Sequence, residues 1–226
     1  MTRVRRVPAG APRIDPVVLG DLLEVDLDRF EAEADLEGLR LAPTDGPPAH
    51  VDELDLRSAV VSDCLLGPLR ADRVDLRAIR LREVRLTGID APVVAAARGS
   101  WGDVEVDGGR LGSVEAYESE WRGVSLSGVR LSYLNLRGAV VSDVRLRDCV
   151  IDELDLGQAT LTRVALEGSR IGRLDLSHAT LEHVDLRGAD LTEIVGTQYL
   201  RGAIIDETQL SALAPSLAAG LGISVR

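Results

Sequence analysis

The chain has 226 residues and 45% hydrophobic content, enough for one large or two small domains, yet only 3% of it is aromatic. A globular core of ordinary shape usually holds more large rings, so this scarcity points to a narrow aliphatic core. The formal net charge is −11, from 37 acids against 26 basic residues, and every basic residue is Arg.

Residues 1–13 carry four Arg and no acid and are expected to form a basic, flexible N-terminus. They lack the apolar h-region of a secretory signal. Residues 14–33 are acidic and of mixed period: Val18, Leu22 and Val25 suit a helix, whereas Leu23, Val25 and Leu27 suit a strand. They are expected to form a part-helical N-terminal cap. A repeat opens with "ADLEG" at 34–38 and is expected to run over 34–205. "APTDGPPAH" at 42–50 breaks it as a Pro-rich loop. Asp35 and Asp55 are twenty apart, so the loop is expected to replace about two units rather than add to them. The charge is uneven: −11 over 14–56, zero over 57–174 and −5 over 175–207. That neutral middle between acidic ends argues against direct nucleic-acid binding through a basic surface.

From Val51 to Leu191, every fifth residue is apolar: Leu56, Val61, Leu66 and so on through Leu156, Leu161, Leu166, Ile171 and Leu176. The residue two before each is small or aliphatic, and the other three places are mostly Arg, Asp, Glu, Ser, Thr or Gly. Five residues turn an α-helix through about 500°, so no helix keeps such a set on one face. A straight strand buries alternate residues, not two of five. A three-residue strand followed by a corner does fit, with its first and third residues inward and its middle one outward. Four such units close a square coil of twenty residues, and coils stack at strand spacing, roughly 4.8 Å. The echo of "LDL" then marks one face seen coil after coil, at Asp55, Asp75, Asn135, Asp155 and Asp175. Trp101 and Trp121 are also twenty apart, with Gly99, Ala96, Ser119 and Ala116 as small neighbours, which predicts two stacked indoles in the core.

"ATLTR", "ATLEH", "VDLRG" and "ADLTE" resemble the A-(D/N)-L-x-x unit of the pentapeptide-repeat family. The resemblance implies a right-handed quadrilateral β-helix, an all-β solenoid of about seven to eight coils with an N-terminal cap and short C-terminal helices. The small inward place departs from the formula. It holds Ala139, Ala159 and Ala179 on one face, but Val144, Val164, Val184 and Leu134, Leu154, Leu174 on its neighbours.

Beyond the repeat, residues 206–226 read as a helical cap or dimerisation segment. Asp206 and Gln209 form a capping-box pattern, Leu210, Leu213, Leu217 and Leu221 form an apolar stripe, and Pro215 is expected to split the segment in two. No apolar run approaches the roughly 18–20 residues of a membrane span. Cys64 and Cys149 fall at inward positions without a CxxC, which suits a reduced, cytoplasmic protein. His178 and His183 fall at outward corners, where ligands diverge rather than converge on a metal. No cofactor motif, metal set or nucleophile elbow is present, so a non-enzymatic protein is expected.

Two functions follow. The resemblance implies, through the MfpA and Qnr branches of the family, a DNA-mimicking binder of DNA gyrase that relieves quinolone inhibition. Those proteins join as homodimers through C-terminal segments. The unbroken register here is nearer the loopless MfpA arrangement. The candidate partner surface is the acidic C-terminal end: Asp155, Asp175, Glu182, Asp185, Asp190 and Glu193. The alternative is a scaffold whose balanced Arg and Asp/Glu faces bind another protein partner with no topoisomerase role.

Overall fold

The computed structural model describes residues 10–41, 48–220 and 222–223. The expected basic stretch up to residue 9, most of the 42–50 loop and Leu221 lie outside the described residues. What is described is a parallel β-solenoid of about nine turns ending in one α-helix.

Each turn contributes one strand to each of two parallel ladders. The first ladder runs through Val60–Leu66, Arg80–Thr87, Ser100–Asp107, Glu120–Ser127, Val140–Arg147, Thr160–Ala165 and Thr180–Asp185. The second runs through Ala49–Asp55, Leu69–Asp75, Ile89–Ala95, Arg110–Glu115, Arg130–Asn135, Val150–Asp155, Arg170–Asp175 and Asp190–Val195. The register is twenty residues per turn: Trp121 pairs with Trp101 and Val141, and Asp155 pairs with Asn135 and Asp175.

The four sides follow from where the backbone turns. The corner residues Asp63, Glu83, Asp103, Gly123, Asp143, Arg163 and His183 all have positive φ. A second such column is Ser58, Ala78, Arg98, Glu118, Gly138, Gln158 and His178, and a third includes Gly88, Gly108, Gly128, Asp148, Gly168 and Gly188. The fourth corner, at Arg73, Val93, Ser113, Tyr133, Glu153, Arg173 and Glu193, turns without a left-handed residue. A left-handed residue reverses the side-chain alternation locally, so both strand residues flanking a corner can point inward.

Inside, most of the fifth-residue set and its partners are buried as a single, mainly aliphatic column, with Val51, Leu86, Leu111 and Leu191 only partly covered. The two indoles stack with centroids 4.9 Å apart and planes 20° apart. Their Nε1 atoms have no hydrogen-bond partner, and a side-chain carbon at Gly99 would stand 3.1 Å from Nε1 of Trp101. Glycine there makes room for the ring.

Three expectations change. Asp35 does not stack on Asp55; the strand Asp35–Glu37 pairs with Val60–Ser62, twenty-five residues on. The loop therefore adds one unit, and the entering strand moves round by one side. Two further strands, Leu23–Val25 and Leu39–Leu41, pair ahead of the regular frame, and they lengthen the stack beyond seven to eight coils. At the other end a single helix, α1 (Glu207–Gly220), runs through Pro215 instead of splitting there. A proline removes one main-chain bond, and α1 has turns on both sides of it to hold the helical path.

The segment expected to form the N-terminal cap holds one 3-10 turn, Leu27–Arg29, and the buried Phe30. Ahead of it, residues 10–20 are neither helix nor strand.

Candidate functional site

The outward ladder of aspartates is built into the corners. Asp55 accepts the Arg57 amide at 3.1 Å and its guanidinium at 2.6 Å. Asp75 accepts from Arg77 in the same way. Asp155 accepts the Gly157 amide at 2.8 Å and the Arg137 guanidinium at 2.9 Å, and Asp175 accepts the Ser177 amide at 2.8 Å. Each carboxylate thus ties the amide two residues on and fixes the turn out of its strand.

The six acidic residues singled out from the sequence fall into two groups. The Asp155 and Asp175 side chains are only 10% and 15% exposed, engaged as described. Asp185 is bound by Arg187 at 2.6 Å, and that guanidinium holds its carboxyl below the usual carboxylate range. Glu182, Asp190 and Glu193 stand outward. Asp190 meets Arg170 at 3.1 Å and Glu193 meets Arg173 at 3.7 Å, both in exposed pairs that contribute little. Glu182 makes no ion pair among the described residues.

Of the leucine stripe, Leu213 and Leu217 are half-buried, while Leu210 is 51% exposed. A hollow of about 200 Å³ between α1 and the last coil is lined by Leu191, Ile194, Ala212 and Leu213, among others. The start of α1 is fastened more firmly. Gln209 N–H donates to Asp206 Oδ1 at 2.9 Å, and Asp206 N–H donates to Gln209 Oε1 at 3.1 Å. That reciprocal pair is a capping box. Gln209 Nε2 also donates to the carbonyls of Leu186 (2.6 Å) and Ala189 (2.9 Å), in the corner between Thr180–Asp185 and Asp190–Val195.

Sequence reasoning missed a second acidic column. Asp63, Glu83, Asp103 and Asp143 occupy four of five successive turns at one corner, with Glu105 beside them. Arg163 grips both Asp143 oxygens at 2.6 Å and holds that carboxyl below the usual range against the opposing effect of burial. Arg85 holds Glu105 at 2.8 Å. The signal was present as "SDC", "REV" and "GDV" at twenty-residue steps and, past the interruption at Gly123, as "SDV" forty residues on. Sequence reasoning took the LDL echo instead.

Candidates for chemistry lie apart from one another. His178 bonds the Tyr199 hydroxyl at 2.8 Å at an exposed corner. Cys64 and Cys149 are buried free thiols whose burial pushes their pKa up, which suits small core residues rather than nucleophiles. Among the described residues no group of three or more metal-ligating side chains converges, and no helix is long and apolar enough to cross a membrane. A cavity of about 70 Å³ inside the coil is lined by Leu, Val, Ile and the two Trp, with no polar group to orient a ligand.

Residues 125–163 and 159–194 match the family model of pentapeptide repeats, in eight copies. Solved structures with a similar course include HetL, a pentapeptide-repeat protein involved in heterocyst differentiation regulation from the cyanobacterium Nostoc. It is 22% identical over 88% of this chain and 93% of its own, with a TM-score of 0.32. Another is a trypsin-treated form of QnrB1, a plasmid-mediated fluoroquinolone resistance protein, 16% identical over 87% and 99%, with a TM-score of 0.29. No curated protein sequence matches the chain. Likeness at this level says nothing of a partner.

Proposed function

Since the chain belongs to the pentapeptide-repeat family, we propose that it is a non-enzymatic protein-interaction rod. The observation that carries this reading is the outer surface. Its polar side chains stand on flat ladders and spend their hydrogen bonds on the rod itself, within a coil or on the next one, and the cavity inside the coil is wholly apolar. Such a rod offers extended faces for another macromolecule and little to a small substrate.

The specific version is a DNA-mimicking binder of DNA gyrase, acting through the acidic end at Glu182, Asp190 and Glu193, with Asp155, Asp175 and Asp185 shaping the corners behind them. The exposed part of the α1 stripe would join two rods end to end. Outward carboxylates on the last turns and the −5 charge of residues 175–207 support it, because a basic DNA-binding saddle attracts such a surface. Purified protein at micromolar dose should reduce gyrase supercoiling, and Glu182→Arg with Glu193→Arg should abolish that effect. Unchanged supercoiling by the native chain rejects the gyrase reading.

A scaffold for a different partner is favoured by one observation. The middle of the rod pairs its charges across coils, as in Arg73–Glu53, Arg85–Glu105 and Arg145–Glu167, and so lacks the continuous negative face that a duplex mimic needs. A reproducible partner that is not a topoisomerase, captured by the native rod and lost on charge reversal of Arg145, would establish that reading.

A further inference from the structure

Residues 10–20 cross the rod at right angles to its strands. At Gly10 a side-chain carbon would stand 2.9 Å from Nδ1 of His183, so the chain rests on that ring. The Arg13 amide donates to Asp143 Oδ1 at 2.9 Å, the Val17 amide to Glu105 Oε1 at 3.0 Å and the Gly20 amide to Asp63 Oδ1 at 3.3 Å. Arg85 Nη2 donates back to the Val17 carbonyl at 2.9 Å. The distances match. Asp63 and Asp143 are four coils apart, roughly 19 Å at strand spacing, and seven extended residues span roughly 23 Å.

Each of these hydrogen bonds is made by the strap's main chain. Only Pro12 and Val17 are buried, and Val18 is 82% exposed. Two of the three receiving carboxylates, Asp143 and Glu105, are held by Arg163 and Arg85, which belong to the rod. Those two acceptors are therefore fixed by the rod's own arginines, and the row reads extended backbone plus two small apolar residues five apart.

We propose that this corner is a docking track for extended main chain, that residues 10–20 are its exchangeable occupant in cis, and that a partner segment of the same chemistry displaces them. That segment is extended, has free amides to meet Asp143, Glu105 and Asp63, and carries Pro or a β-branched residue at two places five apart. It has no acid at those two places, where Asp143 and Glu105 would repel one. A strap on the same chain competes at a high effective concentration, so the track is closed to weak ligands until the strap is loosened. The inference does not depend on gyrase being the partner.

The test uses the full chain. Pro12→Asp with Val17→Asp puts carboxylates over Asp143 and Glu105 and removes both anchors, while the core column stays intact. A fluorescent peptide of residues 10–22 should bind this variant at least tenfold more tightly than it binds the native chain, with one-to-one stoichiometry. Adding Asp143→Asn and Glu105→Gln should weaken that binding at least tenfold. In the native chain the Arg13, Val17 and Gly20 amides should exchange with solvent at least a hundredfold faster than the Val124 amide inside the ladder. Equal peptide affinity for the variant and the native chain, no binding to the variant, or strap exchange only at global unfolding would each overturn the proposal.

Discussion

At Glu118 an ordinary L-residue sits at φ 55°, where Gly138 sits one coil later at φ 66°. The left-handed region costs a non-glycine residue about 1–2 kcal/mol, and glycine's extra backbone entropy offsets about 0.5–1 kcal/mol of that difference. Glu118→Gly should therefore stabilise the rod by about 0.5–1 kcal/mol, and Gly138→Ala should destabilise it by a similar amount. The second change is a clean probe, because the nearest atom to a carbon at Gly138 is Glu118 Cγ at 3.7 Å. Urea denaturation midpoints would read both. The inward residues were legible from the fifth-residue period. Two of the three left-handed columns were not, because Asp, Glu, Arg, His, Gln and Ser occupy most of their places; only the third, with Gly88, Gly108, Gly128, Gly168 and Gly188, carries the residue that favours the conformation.

Among the elements, α1 has a clear start and a loosely held remainder. Gln209 does two separable jobs: its oxygen completes the capping box, and its nitrogen covers two carbonyls in the corner before Asp190–Val195. Gln209→Glu keeps the acceptor and removes the donor. It should cost about 1–3 kcal/mol, the usual penalty for leaving buried acceptors without a donor. Hydrogen exchange should show the loss confined to the final turn, with the middle ladders unchanged. The Asp206–Gln209 spacing was readable as a cap. Its second role was not, since the Leu186 and Ala189 carbonyls meet it only after the coil has closed. The loop at 42–50 misled for a related reason. Counting from Asp35 to Asp55 preserves the frame of five but says nothing about which of four sides the chain re-enters on, and the pairing of Asp35 with Val60 settles that.

The whole molecule is a stack in which each turn touches its neighbours and little else, so its length is modular. Removing residues 166–185 joins Ala165 to Leu186 in the same register and takes out one turn. That variant should fold, with a circular dichroism signal per residue close to that of the native chain. Removing ten residues instead lays a strand of one ladder on the other. It should give an aggregated or partly unfolded product, visible as loss of a single cooperative transition. The acidic surface was only half legible at this scale. The count of carboxylates was plain in the sequence, but whether each faces solvent or ties a corner depended on arginines one coil away, such as Arg137 on Asp155.

The strap also sets an order of events during synthesis. Residues 10–20 leave the ribosome before the coils they rest on, so their rail is completed only as successive turns are added. Asp63 emerges before Glu105, Glu105 before Asp143, and the ring of His183 last. The strap therefore closes like a zip from Gly20 back toward Gly10, each tooth waiting for a coil still to be made. Until those turns are made the nascent chain carries an open rail, and the clasp on His183 closes only once the coil of Thr180–Asp185 has been added.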